Sequence, residues 1–150
     1  MENTTLPKDF REFLQLLNAN HVEYLVVGGF AVGLHGYPRA TSDIDIWIST
    51  DQENSLKIAK SLVEFGFAAS SIDAKRFTFA DQIFQIGRAP IRIDLLTSIP
   101  GVEFEACVAR SEKYILDEIT IRAINLEDLR TNKLASGRSK DLDDLENLPQ

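Results

Sequence analysis

Hydrophobic positions recur along the chain with two periods, and the switches between them predict its elements. Over residues 8–20, Phe10, Phe13, Leu14 and Leu17 follow helical spacing, and Asn18-Ala19-Asn20 reads as the helix end. Tyr24-Leu25-Val26-Val27 is a short apolar strand that runs into Gly28-Gly29. Residues 30–34 predict a short helix, and His35-Gly36-Tyr37-Pro38-Arg39-Ala40-Thr41-Ser42 a loop. Asp43-Ile44-Asp45-Ile46-Trp47-Ile48 alternates acid with isoleucine before turning wholly apolar, which predicts a strand with one polar end. Thr50 and Glu53 have capping-box spacing for a helix to about Phe65, closed by Gly66. Phe77-Thr78-Phe79 reads as a strand, and residues 83–86 and 91–96 flank Gly87-Arg88-Ala89-Pro90 as a hairpin pair. Residues 102–110 predict a helix and residues 119–124 an alternating strand. Asn125 with Asp128 caps a helix to about Ala135, and Ser139 caps a last one through Leu148. Helix and strand alternate but a hairpin interrupts them, so the expected class is α/β with a mixed sheet and, from about residue 125, short C-terminal helices.

Neither repeats nor a Pro/Gly/Ser-rich linker divides the 150 residues, so residues 1–150 are expected to form a single domain. Apolar residues at 44% and charged residues at 26% are ordinary for a globular chain. One cysteine, Cys107, excludes an internal disulfide framework and a cysteine-based zinc site. There is no 18-residue apolar run, and Met1-Glu2-Asn3-Thr4-Thr5 lacks a basic lead into an apolar stretch. The expectation is a cytoplasmic protein without a membrane span. The 23 acidic and 16 basic residues give a net charge of −7, poor for general nucleic-acid binding but compatible with a local basic patch. That acidity also asks whether some carboxylates gather around a metal.

Asp43 and Asp45 project from one face of their strand while Ile44 and Ile46 point to the other. Ile91-Arg92-Ile93-Asp94-Leu95-Leu96 carries one acid within an apolar strand; if that strand lies beside the first, Asp94 joins the pair. Three adjacent carboxylates repel one another, and one or two Mg²⁺ ions would remove the conflict. Such ions can clamp the attacking and leaving oxygens of an in-line phosphoryl displacement. The alternatives are a strand-end acid pair without metal and an Asp94 that faces water. Gly28-Gly29, thirteen residues before Asp43 and following a strand, narrows the choice, because glycine lets a phosphate approach the backbone closely.

Leu25-Val26-Val27-Gly28-Gly29, the thirteen-residue spacing and Asp43-Ile44-Asp45-Ile46 together resemble the signature of the DNA-polymerase-β-type nucleotidyltransferases. His35-Gly36, Arg39, Thr41 and the Asp-x-Asp strand look closest to the small bacterial AbiEii-toxin-like members, and more loosely like antibiotic nucleotidyltransferases. Asp94 stands where that superfamily carries its third carboxylate, and Lys133-Leu134, Arg138, Lys140-Asp141 and Asp144 resemble its helical segment after the sheet. The resemblance implies the mixed-sheet nucleotidyltransferase fold and Mg²⁺-dependent transfer of a nucleoside monophosphate from an NTP, ATP included, to an acceptor hydroxyl. It implies that Asp43 and Asp45 hold both metals, and that Asp94 holds the catalytic metal and helps activate the acceptor. It further implies that Gly28, Gly29 and Ser42 contact the triphosphate. The acceptor classes are RNA such as tRNA, a protein or a small molecule, and a toxin–antitoxin or phage-defence setting follows from the same relatives. A catalytically weak antitoxin or regulatory partner, and an acidic binding module with incidental carboxylates, are the competing readings.

Lys133 reads either as a cation that reaches the triphosphate or as a solvated helix lysine. Arg39 and Thr41 read as substrate contacts or as braces of their loop, and His35 as packing beneath it. Trp47 and Cys107 read as core. Arg130, Lys133, Arg138 and Lys140, interleaved with Asp141, Asp143 and Asp144, read as an exposed helix pair with internal salt bridges or as a landing site for RNA or nucleotide. Larger relatives carry a further helical domain, so a second copy or a companion protein is expected to complete the cleft, over apolar surface left by residues 67–69 and 102–108.

Overall fold

A computed structural model describes residues 6–36, 43–88 and 91–149. The helices are α1 (Lys8–Ala19), α2 (Gly28–Leu34), α3 (Gln52–Phe65), α4 (Phe104–Ala109), α5 (Leu126–Ser136) and α6 (Ser139–Asn147). The strands are β1 (Tyr24–Val27), β2 (Asp43–Ile48), β3 (Ile83–Arg88), β4 (Ile91–Leu96), β5 (Glu112–Leu116) and β6 (Ile119–Ala123). They form one six-stranded sheet in the order β3-β4-β2-β1-β6-β5. The pairs β2–β4 and β1–β6 are parallel, and β1–β2, β3–β4 and β5–β6 are antiparallel. The expected mixed α/β sheet is therefore present, with two short helices after its last strand.

Side-chain alternation sorts the strands into two cores. Ile44, Ile46 and Ile48 of β2 and Ile93 and Leu95 of β4 join Phe10, Phe13, Leu14 and Leu17 of α1 and Ile58 and Leu62 of α3. On the opposite face, Leu25, Val27 and Trp47 join Ala31, Val32, Cys107 and Leu129. Phe104 meets Trp47 edge-on, with ring centroids 5.1 Å apart, and Phe67 packs on Phe84 at 5.6 Å. The two stretches expected to leave bare apolar surface thus turn their aromatic rings onto the protein's own cores.

Local hydrogen bonding overrules the sequence pattern in several places. Asp51, not Thr50, caps α3, because its carboxylate accepts from the N–H groups of Glu53 and Asn54. Residues Ala74–Thr78 form a 3₁₀ turn where a strand is expected: Asp73 accepts from the Lys75 N–H, and Phe77 buries itself against Phe84. Ser139 lies inside α6, whose preceding residue Arg138 gives no side-chain cap. The unexpected strand β5 is a sheet edge, so its Glu112, Lys113 and Ile115 stay exposed and blur the period-two signal. It turns into β6 through Asp117 and Glu118, both with positive φ (50° and 65°), a two-residue hairpin turn made without glycine.

Buried Asn54 ties α3 to the sheet. Its Nδ2 donates to the carbonyls of Glu23 (3.1 Å) and Ser49 (2.9 Å), and its Oδ1 accepts from the Glu23 N–H (2.8 Å). Asn54→Ala should leave these groups unsatisfied and lower the unfolding free energy by about 2–4 kcal/mol, measured by urea denaturation.

Candidate functional site

The parallel register of β2 against β4 sets Asp43 opposite Arg92 and Asp45 opposite Asp94. Residues two apart on a strand share a face, so all four project on the side of the second core. Val27, the last residue of β1, lies opposite Asp45, which brings Gly28 against the Asp45 carboxylate. Gly28 has φ +68°, and a Cβ there would overlap Asp45 Oδ2. Both the left-handed backbone and the close approach require glycine at this position. Gly29 follows in the first turn of α2 and is half-buried.

Burial, then the neighbouring charges of Asp94 and Asp43, push the Asp45 carboxyl up to about 6, while Lys133 and Lys140 pull in the other direction. Asp94 is raised as well, chiefly by burial, with Arg92 opposing the shift and Asp43 adding to it. Arg92 stands between the acids: Nη2 lies 3.4 Å from Asp43 Oδ2, and Nε lies 3.4 Å from Asp94 Oδ1. Asp94 Oδ1 and Arg92 Nε are buried and make no hydrogen bond, so that contact is an ion pair alone. Arg92 is a site residue that the sequence reading passed over. Its signal was available, since its two-residue offset from Asp94 on a strand puts both on one face.

Among the described residues no group of three or more His, Cys, Asp or Glu side chains is gathered tightly enough to hold a metal ion as it stands. The donor set nonetheless suits a hard divalent cation: all oxygen, mutually repelling, with one buried carboxylate oxygen that accepts no hydrogen bond. Mg²⁺ usually takes one or two carboxylates plus substrate phosphates and waters, so a closed protein cage is not required.

Lys133 is not a solvated lysine. Only 4% exposed, it donates through Nζ to Asp141 Oδ1 at 2.8 Å and pairs with Asp144 Oδ2 at 3.1 Å. Asp141 also accepts from Arg138 Nε (2.8 Å) and Ser136 Oγ (2.6 Å), and these donors hold its carboxyl well below the usual range. The salt bridges expected of an exposed helix pair are thus buried between α5 and α6. Arg130 Nη1 donates to the Leu145 and Pro149 carbonyls (both 3.4 Å). The spacing of Asp141 and Asp144, three apart on one helix face, was the sequence signal for a shared buried partner. His35 packs as expected, with Nε2 2.8 Å from the Ile124 carbonyl oxygen and Nδ1 3.4 Å from the Tyr114 hydroxyl. Trp47 is core. Arg39, Thr41 and Ser42 lie outside the described residues.

Two predictions follow from these charges. The folded Asp45 carboxyl protonates more readily than its unfolded form, so it withdraws stability as pH rises from about 4 through about 6. Asp45→Asn should flatten that part of the metal-free stability–pH curve and raise Tm at neutral pH, read by calorimetry in EDTA. Lys133→Ala should act oppositely. By stranding Asp141 and Asp144 it should remove roughly 3–5 kcal/mol of unfolding free energy, measured by urea denaturation.

Known structures share this architecture. A candidate nucleotidyltransferase from Thermotoga maritima superimposes with a TM-score of 0.61 at 17% identity, over 97% of this chain and 96% of its own. An antigenic nucleotidyltransferase-like protein from Paracoccidioides brasiliensis gives 0.55 at 16% identity, over 96% of this chain and 77% of its own. Identities this low establish the nucleotidyltransferase fold and nothing finer. No curated protein matches the chain. The sequence model of one family matches residues 7–150, nearly the whole length, and the chain therefore belongs to the nucleotidyl transferases of unknown function designated DUF2204.

Proposed function

We propose that the protein transfers a nucleoside monophosphate from a Mg²⁺-bound NTP to an acceptor hydroxyl. The observation that carries this reading is the placement of Asp45 against both Asp94 and the bare backbone of Gly28. Carboxylates facing a glycine turn at the mouth of two strands suit a metal–triphosphate better than a structural role, because burial and mutual repulsion raise both acids. Asp43, Asp45 and Asp94 would hold the ion or ions, which supply charge neutralisation at the phosphates when bound. Gly28 and Gly29 would admit the triphosphate to the backbone, with Arg39, Thr41 and Ser42 completing its cradle. Lys133, tethered to Asp141 and Asp144, would add positive potential at Asp45 rather than a direct contact.

In the reaction the acceptor oxygen attacks the α-phosphorus, a new P–O bond forms, and the α–β bridge breaks to release pyrophosphate. The hydroxyl proton passes to Asp94 or to solvent beside it. Such chemistry rests on positioning and electrostatic stabilisation, and needs few acid–base side chains. The likeness of the Asp-x-Asp strand and the C-terminal helices to AbiEii-toxin-like enzymes supports an RNA or protein acceptor, a toxin–antitoxin or phage-defence setting, and a second copy or companion protein that closes the cleft.

The test is transfer of label from α-labelled NTPs, with Mg²⁺, to bulk tRNA or to lysate protein. Label should appear in one acceptor class, and Asp45→Asn and Asp94→Asn should each lower it by about a hundredfold or more. Absence of transfer together with absence of Mg²⁺-dependent NTP binding by calorimetry would refute the proposal.

A further inference from the structure

A concave cavity of about 430 Å³ opens at the end of β1 remote from Gly28, between the C-terminal end of α1 and the β5–β6 hairpin. Asn18, His21, Tyr24, Lys113, Thr120 and Arg122 line it. Lys113 and Arg122 are directly opposed across the antiparallel pair, so both cationic side chains leave the sheet on one face. Like charges in that arrangement destabilise a hairpin. Several cations of this chain pair closely with an acid, among them Arg11 with Asp117, Arg110 with Asp128 and Lys133 with Asp141. Among the described residues neither Lys113 nor Arg122 has an ion-pair partner. A positive spot that costs stability, on a chain with net charge −7, is a local feature that composition does not produce.

The floor beneath the two cations is held rigid. The Tyr24 hydroxyl donates to Asn18 Oδ1 at 2.8 Å, and Asn18 Nδ2 donates to the Thr120 carbonyl at 2.8 Å. We propose that this cavity binds a phosphate ester of a hydroxylated small molecule, a sugar phosphate or mononucleotide, with Lys113 and Arg122 on the phosphate. A doubly charged phosphate matches two cations where a carboxylate would satisfy one, and the planar guanidinium offers it a paired set of donors. Glu23, the acid in the same wall, accepts hydrogen bonds from hydroxyl groups such as those of a ribose. The volume lies within the ~300–1,000 Å³ typical of small-molecule sites. This site is separate from the carboxylate cluster and stands whether or not that cluster transfers nucleotides.

Calorimetry in EDTA separates the two sites, since without metal the acidic cluster repels phosphates. Ribose 5-phosphate should bind the wild-type chain, and Asp45→Asn should leave that binding intact. Lys113→Glu and Arg122→Glu should each weaken it about tenfold or more. Each swap also turns a like-charge pair into an opposite-charge one, so the free protein's Tm should rise by about 2–4 °C, which excludes unfolding as the cause. A 5′-phosphorylated RNA that binds more tightly than ribose 5-phosphate identifies the source as a nucleic-acid end, and weaker binding identifies a free metabolite. Absence of binding by both probes, or binding that survives both swaps, overturns the proposal.

Discussion

Asp45 and Asp94 are pressed together by a hydrophobic register in which they take no part. Ile44 and Ile46 of β2 and Ile93 and Leu95 of β4 point into the core beneath α1 and α3, fully or nearly fully buried. Slipping one strand by a single residue would carry these side chains to the other face, at a cost of about 1.5–3 kcal/mol for each one exposed. The register is therefore rigidly specified, and the carboxylates on the reverse side of the same strands must accept the positions it dictates. The approach of Gly28, the lodging of Arg92 and the raised carboxyls follow from that one constraint.

The molecule contains two sets of aspartates, and they are treated differently. On α6, buried Asp141 and Asp144 both pair with Lys133, Asp141 also accepts from Arg138 and Ser136, and its carboxyl stays ionised far into acid. On β2 and β4, Asp43 and Asp94 flank the Arg92 guanidinium at 3.4 Å, and burial with the neighbouring acids raises Asp45 to about 6. Buried charges with close opposite partners hold elements together, whereas crowded carboxylates with raised pKa values mark a candidate functional site. The first set fastens α6 to α5. The second lies against Gly28.

Family and fold speak to different levels of this contrast. Solved relatives at 16–17% identity share the layout of strands and helices, which depends on burial pattern and tolerates wide substitution. The proposed chemistry would depend on a few positions at strand ends, where one glycine and three aspartates coincide. Lys113 and Arg122 make a further point: they set like charge against like, with the sign reversed, at the other end of the sheet.

Much of this was legible in the residues themselves. The helical spacing of Phe10, Phe13, Leu14 and Leu17, the Asp-Ile-Asp-Ile alternation and the isolated Asp94 are local patterns, and local patterns set which face of an element is apolar. They determined the mixed α/β class, the course of β2 and β4, and the candidate carboxylates. Patterns that compete with local hydrogen bonds were less legible: Asp51 displaced Thr50 as a cap, and Asp73 drew Phe77 into a 3₁₀ turn. What only the tertiary structure decided was pairing between distant segments. The order β3-β4-β2-β1-β6-β5, the guanidinium of Arg92 between two acids, the burial of Lys133 and the opposition of Lys113 to Arg122 depend on which strands and helices lie side by side. A charge's partner is set by distance in space, and separation along the chain carries almost no information about it.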